Sequence, residues 1–278
     1  MKIKKEIRQR TQQLLRQTGL LAGIEQLRYR LALIRCRKSN RAFIQEHPGF
    51  ALPPTHLAFD AYATPDWDYY YKSGRQTAKD ILTLLNQHQE KNDSTKILDW
   101  GCGPARIVRH LPSLLGSRAH VHGSDYNSET IAWARKAIDG VQFTANGLKP
   151  PLAYPDNTFD CVYAFSIFTH LSEETCLEWI REIQRVLKNN GLFFFTAHGD
   201  TAVERMLLPN ERMTYVGKGF LARGKFHEGK KMFLSFHSPD YIETTLLKEF
   251  EIVEHKIPGN FEYIHYQDVW LARKKSVA

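Results

Sequence analysis

One short segment constrains the fold of this chain more than any other. Residues 97–107 read ILDWGCGPARI, an apolar start followed by two glycines at alternate positions. The apolar residues predict a buried strand, and Gly101 and Gly103 let the following turn pass close to a ligand because neither carries a Cβ. A helix that begins after this turn would point its free N–H groups at that ligand. The segment therefore predicts a nucleotide-like ligand at the edge of an α/β sheet.

Strand-like and helix-like segments alternate from residue 96 onward. The predicted strands are 96–100, 119–125, 141–145, 158–165 and 191–197, and the predicted helices are 73–89, 104–115, 128–138 and 173–188. Gly191 is expected to end the last of these helices in a left-handed conformation. A basic segment at 200–231 interrupts the pattern, which resumes with strand 232–236, helix 239–248 and strands 250–257 and 264–273. This alternation predicts a doubly wound, mostly parallel sheet.

The D-x-G-x-G spacing of Asp99, Gly101 and Gly103 resembles motif I of class I S-adenosylmethionine (SAM)-dependent methyltransferases, which often have a third glycine where this chain has Ala105. Two later segments, PDNTFDCVYAFSIFTHL and REIQRVLKNNGLFFFTAHG, are similar to the same family, so the resemblance covers about residues 95–273. It implies a Rossmann-like seven-stranded sheet with an antiparallel last strand, and SAM as cofactor. Arg106 stands where a dinucleotide-binding G-x-G-x-x-G turn requires a glycine, which argues against an NAD-dependent oxidoreductase. A non-catalytic SAM-binding module is the other alternative.

Cofactor contacts are expected at the carboxyl ends of the strands. Asp125 ends the second strand, where an acid can accept both ribose hydroxyls, although it could instead cap the next helix. Asn146 follows the third strand and offers a donor and an acceptor to an adenine edge, unless it only forms a turn. The resemblance implies that Arg75 reaches the methionine carboxylate, unless it is a solvated residue at a helix start. The expected cofactor residues are Asp99, Gly101, Cys102, Gly103, Asp125, Tyr126, Asn146, Gly147, Ser166 and Arg75.

Three histidines follow strands at this same edge of the predicted sheet: His170, His198 and His237. A neutral imidazole can accept a proton from a hydroxyl as its oxygen attacks a methyl group. We expect His170 first, and His198 second, to be the catalytic base, and His237 to contact the acceptor. Each could instead only bond loop carbonyls. Resemblance to small-molecule and glycan methyltransferases implies a small-molecule or glycan acceptor, methylated on a hydroxyl oxygen.

Positive charge is concentrated at the N-terminus. Residues 1–41 contain twelve Lys/Arg and two acidic residues, a net charge of +10, which leaves about −2 for the rest of a chain of net charge +8. Residues 1–70 are therefore interpreted as a basic helical extension and linker, broken or bent at Gly19 and Gly23. Residues 71–278 are interpreted as the methyltransferase domain, with an acceptor-site insertion at about 200–237.

The basic extension has three possible roles. It could pack its Leu/Ile stripe on the catalytic domain and keep its charges in water. It could lie on an anionic membrane surface. It could also bind phosphate groups of nucleic acid or of a charged glycan or lipid-linked substrate, although the sparse aromatic residues argue against a nucleic-acid partner.

Composition excludes further classes. Four cysteines form no C-x-x-C pair and predict reduced thiols in a cytoplasmic protein, with peripheral contact at the inner membrane surface as an alternative. Twelve histidines show no metal-ligand spacing, so no metal is expected. No apolar run reaches the length of a membrane span.

Overall fold

The computed structural model describes residues 21–88, 94–116, 119–223, 227–259, 262–264 and 266–276. The strands are β1 (Thr95–Trp100), β2 (Ala119–Asp125), β3 (Val141–Ala145), β4 (Phe159–Ala164), β5 (Leu187–Ala197), β6 (Phe220–Arg223), β7 (Leu234–His237), β8 (Phe250–Lys256) and β9 (Asp268–Lys274). Seven of them form one sheet in the order β3-β2-β1-β4-β5-β9-β8, and β6 and β7 form a separate hairpin. Strands β1 to β5 pair in parallel, whereas β9 is antiparallel to both β5 and β8. The predicted Rossmann-like sheet with an antiparallel last strand is confirmed.

Helices flank this sheet. They are α1 (Leu21–Glu46), α2 (Thr55–Tyr62), α3 (Trp67–His88), α4 (Leu111–Leu115), α5 (Ser128–Ala137), α6 (Glu173–Val186), α7 (Asp200–Met206), α8 (Pro209–Lys218) and α9 (Pro239–Tyr241), which continues as a π-helical turn, Ile242–Leu246. Among the described residues, no helix is both long and apolar enough to span a membrane.

The two central strands have apolar residues on both faces, as expected for parallel strands covered by helices on each side. Every position of β4 is buried, and so is every position of β5 from Gly191 to Ala197. Phe193 and Phe195 stack at 4.9 Å on one face, where Trp100 packs on Trp179 at 4.5 Å. This packing fixes the carboxyl ends of the strands, from which the site loops emerge.

The segment after β1 differs from the prediction. Residues 101–107 form consecutive turns, a 3₁₀ turn follows at Val108–His110, and α4 begins only at Leu111. A helix from residue 104 is wrong because Ala105 has a φ of 58°, in the left-handed region that an α-helix excludes. No helix N-terminus is therefore aimed into this loop from residue 104.

The end of α6 also differs. The chain passes directly into β5 at Leu187, and Asn190, with a φ of 63°, takes the left-handed conformation that was expected of Gly191. The helix stop expected at Gly191 is wrong because β5 already pairs with β4 at Leu187, before a register shift.

The N-terminal helix is continuous through Gly23, so the break expected there is wrong, whereas Gly19 lies outside the described residues. Its Phe43 packs with Trp67 and Tyr70 of α3. Helix α3 starts at Trp67 rather than near residue 73, since Asp66 accepts a hydrogen bond from the Tyr69 N–H at 2.9 Å and caps it. The boundary drawn at residue 70 thus falls inside a helix.

The segment that follows β5 folds back over the carboxyl edge of the sheet. It comprises α7, α8 and the β6–β7 hairpin, whose His237 N–H donates to the His198 carbonyl at 2.8 Å. Further along, the Gly229 N–H donates to the His170 carbonyl at 2.9 Å. Residues 227–237 therefore cover the loops that leave β4 and β5.

Candidate active site

Three adjacent cavities of about 350, 140 and 60 Å³ lie along the carboxyl edge of the sheet. Gly101 lines all three. The large and middle cavities share Tyr62 and Ser166, and the middle and small cavities share Asp125 and His170. The three spaces therefore form one groove, with the glycine loop at its centre.

The two motif glycines are required by close contacts as well as by backbone shape. Gly101 has a φ of 79°, and a Cβ there would lie 2.0 Å from the Ile167 side chain. Gly103 has a φ of 49°, and its Cβ would face the Tyr62 hydroxyl at 3.3 Å. A side chain at either position would intrude on the groove that the loop lines.

A third glycine, Gly74, which the sequence reasoning missed, lets α3 approach the backbone of the loop after β1 closely. A Cβ on Gly74 of α3 would lie 1.9 Å from the Arg106 carbonyl oxygen. The close helix–loop approach is thus made by a glycine on the preceding helix, which leaves position 106 free to carry a long side chain.

Asp125 connects β2 to the glycine loop. Its Oδ2 accepts a hydrogen bond from the Gly103 N–H at 2.9 Å, and its Oδ1 accepts from the Asn127 N–H at 2.8 Å. The alternative role as cap of α5 is taken by Asn127, whose side chain accepts from the Glu129 and Thr130 N–H groups. Burial raises the pKa of Asp125. This carboxyl lines the small and middle cavities, where its free lone pairs can accept hydroxyl hydrogens.

The small cavity fits an aromatic amine. Trp100 and Trp179 line it, and so does Asn146, whose Oδ1 is buried without a hydrogen-bond partner in the described structure. The Nδ2 of Asn146 donates one of its two hydrogens to the Gly147 carbonyl at 2.7 Å, and the acceptor oxygen stays available to a ligand. Tyr126 also lines this cavity and donates its hydroxyl hydrogen to the Gly229 carbonyl at 2.8 Å.

The large cavity is lined by an acidic and a basic side chain, Asp99 and Arg106. Burial raises the pKa of Asp99 to about 8. Cys102 and Ser166 line the same cavity, as expected, and Ser166 holds a φ of 59° while its hydroxyl contacts Gln267 at 2.9 Å.

Arg106 is a candidate site residue to which the sequence reasoning assigned no role in binding. It lines the large cavity, with its Nη1 donating to the Ser73 hydroxyl at 2.9 Å, its guanidinium over the Tyr62 ring at 5.0 Å, and its buried Nε without a partner in the described structure. Arg75 is exposed and lines none of the three cavities. Arg106 is therefore placed where a guanidinium could meet the cofactor carboxylate, whereas the position of Arg75 does not favour the contact expected of it.

Two of the three histidines lie in the groove. His198 lines the large cavity and donates its Nδ1–H to the Ser235 carbonyl at 3.1 Å, while burial lowers its pKa to about 4. His170 lines the other two cavities and donates its Nδ1–H to the Phe233 carbonyl at 2.8 Å, with a pKa also lowered by burial. Since a carbonyl can only accept, each ring carries its proton on Nδ1 and a lone pair on Nε2.

His237 is not brought to the groove. Its side chain is fully buried beside Cys176, with Nε2 at 3.7 Å from Sγ, and it lines none of the three cavities. The acceptor contact expected of it is absent from this structure because the β6–β7 hairpin turns the ring into the core.

Other lining residues of the large cavity come from segments that the sequence reasoning left unassigned. They are Tyr62, Tyr69, Tyr263, Tyr266 and Gln267. They lie far apart in sequence, on α2, on α3 and before β9, and no local motif marks them. The described residues contain no group of three His, Cys, Asp or Glu side chains placed to hold a metal ion.

The donor and acceptor set fits SAM. The Asp125 carboxyl suits ribose hydroxyls, and the unpartnered Asn146 oxygen, in a cavity that Trp100 and Trp179 also line, suits the amino group of adenine. At the other end of the groove, Arg106 suits a carboxylate and Asp99 suits an ammonium group.

Comparison with known proteins agrees with this geometry. Residues 97–191 match the family model described as Methyltransferase domain. A malonyl-[acyl-carrier protein] O-methyltransferase of Bacillus anthracis is 22% identical over 153 residues, 52% of each protein. A sterol 24-C-methyltransferase of Gibberella zeae is 32% identical over 106 residues, 36% of this chain and 27% of that protein. The chain thus matches about half, or less, of the length of these relatives.

Solved structures show the same fold. A SAM-dependent methyltransferase from Methanosarcina mazei aligns with a TM-score of 0.53 at 22% identity, over 70% of this chain and 98% of that one. A SAM-dependent methyltransferase from Mesorhizobium loti aligns with a TM-score of 0.52 at 16% identity, over 69% and 96%.

Sheet order, glycine loop and groove together define a Rossmann-like methyltransferase domain. Residues 97–191 match a methyltransferase domain, and the chain has the fold of the class I SAM-dependent methyltransferases, with SAM as its cofactor.

Proposed function

We propose that this protein transfers a methyl group from SAM to a hydroxyl oxygen of a small-molecule or glycan acceptor. One observation carries the proposal: the His198 imidazole, neutral and with a free Nε2, lies in the large cavity beside Asp99 and Arg106. Bound SAM supplies an electrophilic methyl group on its sulfonium.

The side chains of the groove hold the two ends of the cofactor. Asp125 and Asn146 orient the nucleoside half, and Asp99 and Arg106 hold the amino-acid half. With both ends of SAM fixed, its methyl group is held in line with the acceptor oxygen. This proximity and alignment of the reacting atoms supply most of the rate enhancement in such a reaction.

A neutral alcohol is a poor nucleophile, so its proton must leave as the oxygen attacks. His198 Nε2 accepts that proton, while the Ser235 carbonyl keeps the ring in the Nδ1–H form. His170 is the second choice, since it faces the small and middle cavities rather than the large one. This order reverses the ranking drawn from the sequence.

The lining of the large cavity supports a compact, hydroxylated acceptor. Tyr62, Tyr69 and Tyr263 present aromatic faces and hydroxyl groups to a space of about 350 Å³. The relatives named above methylate a carrier-bound malonyl group and sterols, which also supports an acceptor outside the nucleic acids.

The test is acceptor screening. The full chain is incubated with SAM and with panels of glycans, hydroxylated small molecules and carboxylic acids, and S-adenosylhomocysteine and methylated product are measured. We expect turnover with a hydroxyl acceptor. Turnover confined to carboxylic acids would refute the hydroxyl assignment, and SAM binding without turnover on any panel would favour a non-catalytic SAM-binding module.

A further inference from the structure

The outer face of α1 carries an apolar stripe that is exposed in the part of the chain that the structure describes. Leu27, Leu31 and Ile34 follow the i, i+4, i+7 spacing of one helix face, and they are 57%, 44% and 71% exposed. Of the three roles considered for the extension, packing of the Leu/Ile stripe on the catalytic domain is not adopted by these three residues, because α1 uses its opposite face for that contact.

That opposite face is fixed. Cys36 and Phe43 are buried, and the Asn40 side chain donates to the Pro65 carbonyl at 2.8 Å and accepts from the Trp67 N–H at 3.0 Å. The helix therefore cannot roll to hide its stripe without losing these contacts.

Cations surround the stripe. With 100° of turn per residue, Arg30, Lys38 and Arg41 fall on the same side of α1 as Leu27 and Ile34, and all three are exposed. None of them forms an ion pair with an acidic residue in the part of the chain that the structure describes.

We propose that this face of α1, made by Leu27, Leu31, Ile34, Arg30, Lys38 and Arg41, docks on an anionic lipid surface. The apolar side chains would enter the headgroup region, and the cations would pair with lipid phosphates and carboxylates.

Charge and shape favour this occupant over two others. A second copy of the chain would bring the same cations against each other, which opposes self-association. A nucleic acid would use the cations but not an apolar centre, and no aromatic residue lies on this face for base stacking.

The face of α1 opposite the docking face contacts the active-site groove. Glu25 of α1 pairs with Lys231 at 2.9 Å, and Lys231 lines the middle cavity. The Tyr29 hydroxyl also bonds Thr55 of α2 at 2.6 Å. A lipid surface on the docking face would therefore be separated from these groove contacts by the width of α1, about 10 Å, and the docking does not depend on methyl transfer.

The experiment is co-sedimentation of the full chain with phosphatidylcholine vesicles, with and without phosphatidylserine. We expect binding only to the anionic vesicles, falling as salt is raised. The triple substitution Leu27→Ser, Leu31→Ser, Ile34→Ser should reduce partitioning at least about tenfold, and Ile34→Ser alone should reduce it less. Replacing Arg30, Lys38 and Arg41 by Gln should also reduce it at least about tenfold.

Ile44→Ser is the matched control, since Ile44 is 51% exposed on the same helix but lies about 100° around from the stripe. It should bind vesicles like the wild type, and every variant should keep its SAM affinity as proof of folding. The proposal is overturned by a wild type that ignores anionic vesicles at low salt, or by an apolar variant that binds them equally well. A stripe-dependent dimer, or stripe-dependent RNA binding in place of vesicle binding, overturns it too.

Discussion

The Gly103 N–H donates a 2.9 Å hydrogen bond to Oδ2 of Asp125. This bond joins the glycine loop after β1 to the end of β2, the two segments that we propose hold the nucleoside half of SAM. Because the Asn127 N–H occupies the other carboxylate oxygen, the Asp125 side chain is oriented before any ligand arrives. A pre-oriented site binds without the entropic cost of ordering its own side chains.

The left-handed backbone conformation of Ala105 leads us to predict that a glycine at this position stabilises the protein. Its φ of 58° disfavours any residue with a Cβ, so Ala105→Gly should raise the free energy of unfolding by about 0.5–1 kcal/mol. Ala134→Gly in α5 is the control and should lower it by about 1 kcal/mol. Denaturant titration measures both, and a less stable Ala105→Gly protein would contradict the account.

From the raised pKa of Asp99 we predict that cofactor binding is coupled to proton release. Burial raises its pKa to about 8, so the carboxyl is mostly protonated at pH 7, and a bound cationic ammonium group should lower that pKa. The bound state then holds fewer protons, so SAM affinity should rise with pH up to about 8 and level off above it. Calorimetry at pH 7 in buffers of different ionisation enthalpy should show about one proton released, less in Asp99→Asn. No buffer dependence would show that Asp99 does not face the ligand's charge.

The histidine assignment predicts a difference between variants. His198→Ala should lower kcat at least about tenfold with SAM affinity nearly unchanged, and His170→Ala should lower it less. Since burial lowers the pKa of His198 to about 4, the wild type should lose this activity only as the pH falls toward that value. His120→Ala, an exposed residue of β2, is the control and should leave kcat unaltered. Near-normal kcat in both groove variants would exclude histidine as the base.

Much of the sheet could be predicted from the sequence because β1, β4 and β5 are apolar runs between clear helical segments. The groove positions of Asp99, Asp125 and Asn146 could also be predicted. The carboxyl ends of neighbouring parallel strands lie at one edge of the sheet, which is where ligands bind in open α/β sheets. Such features depend on local pattern alone.

Features that depend on distant contacts could not be predicted in this way. A glycine is required at position 74 only because α3 lies against the Arg106 backbone. This close contact is made by Gly74, so position 106 can carry a long side chain that lines the large cavity. His237 lies at the end of an apolar strand, as His198 does, yet the β6–β7 hairpin buries the His237 ring away from the groove. The stripe on α1 has the periodicity of a core-facing helix, and only the structure shows which face packs.

Calorimetric titration with SAM and S-adenosylhomocysteine tests the central assignment most directly. The wild type should bind both, and Asp125→Ala should weaken each by about 1.5–3 kcal/mol, the contribution of hydrogen bonds to a charged group. Asp139→Ala, an exposed acid between α5 and β3, should bind like the wild type. A wild type that binds neither compound, or an Asp125→Ala protein with unchanged affinity, would contradict the site described here.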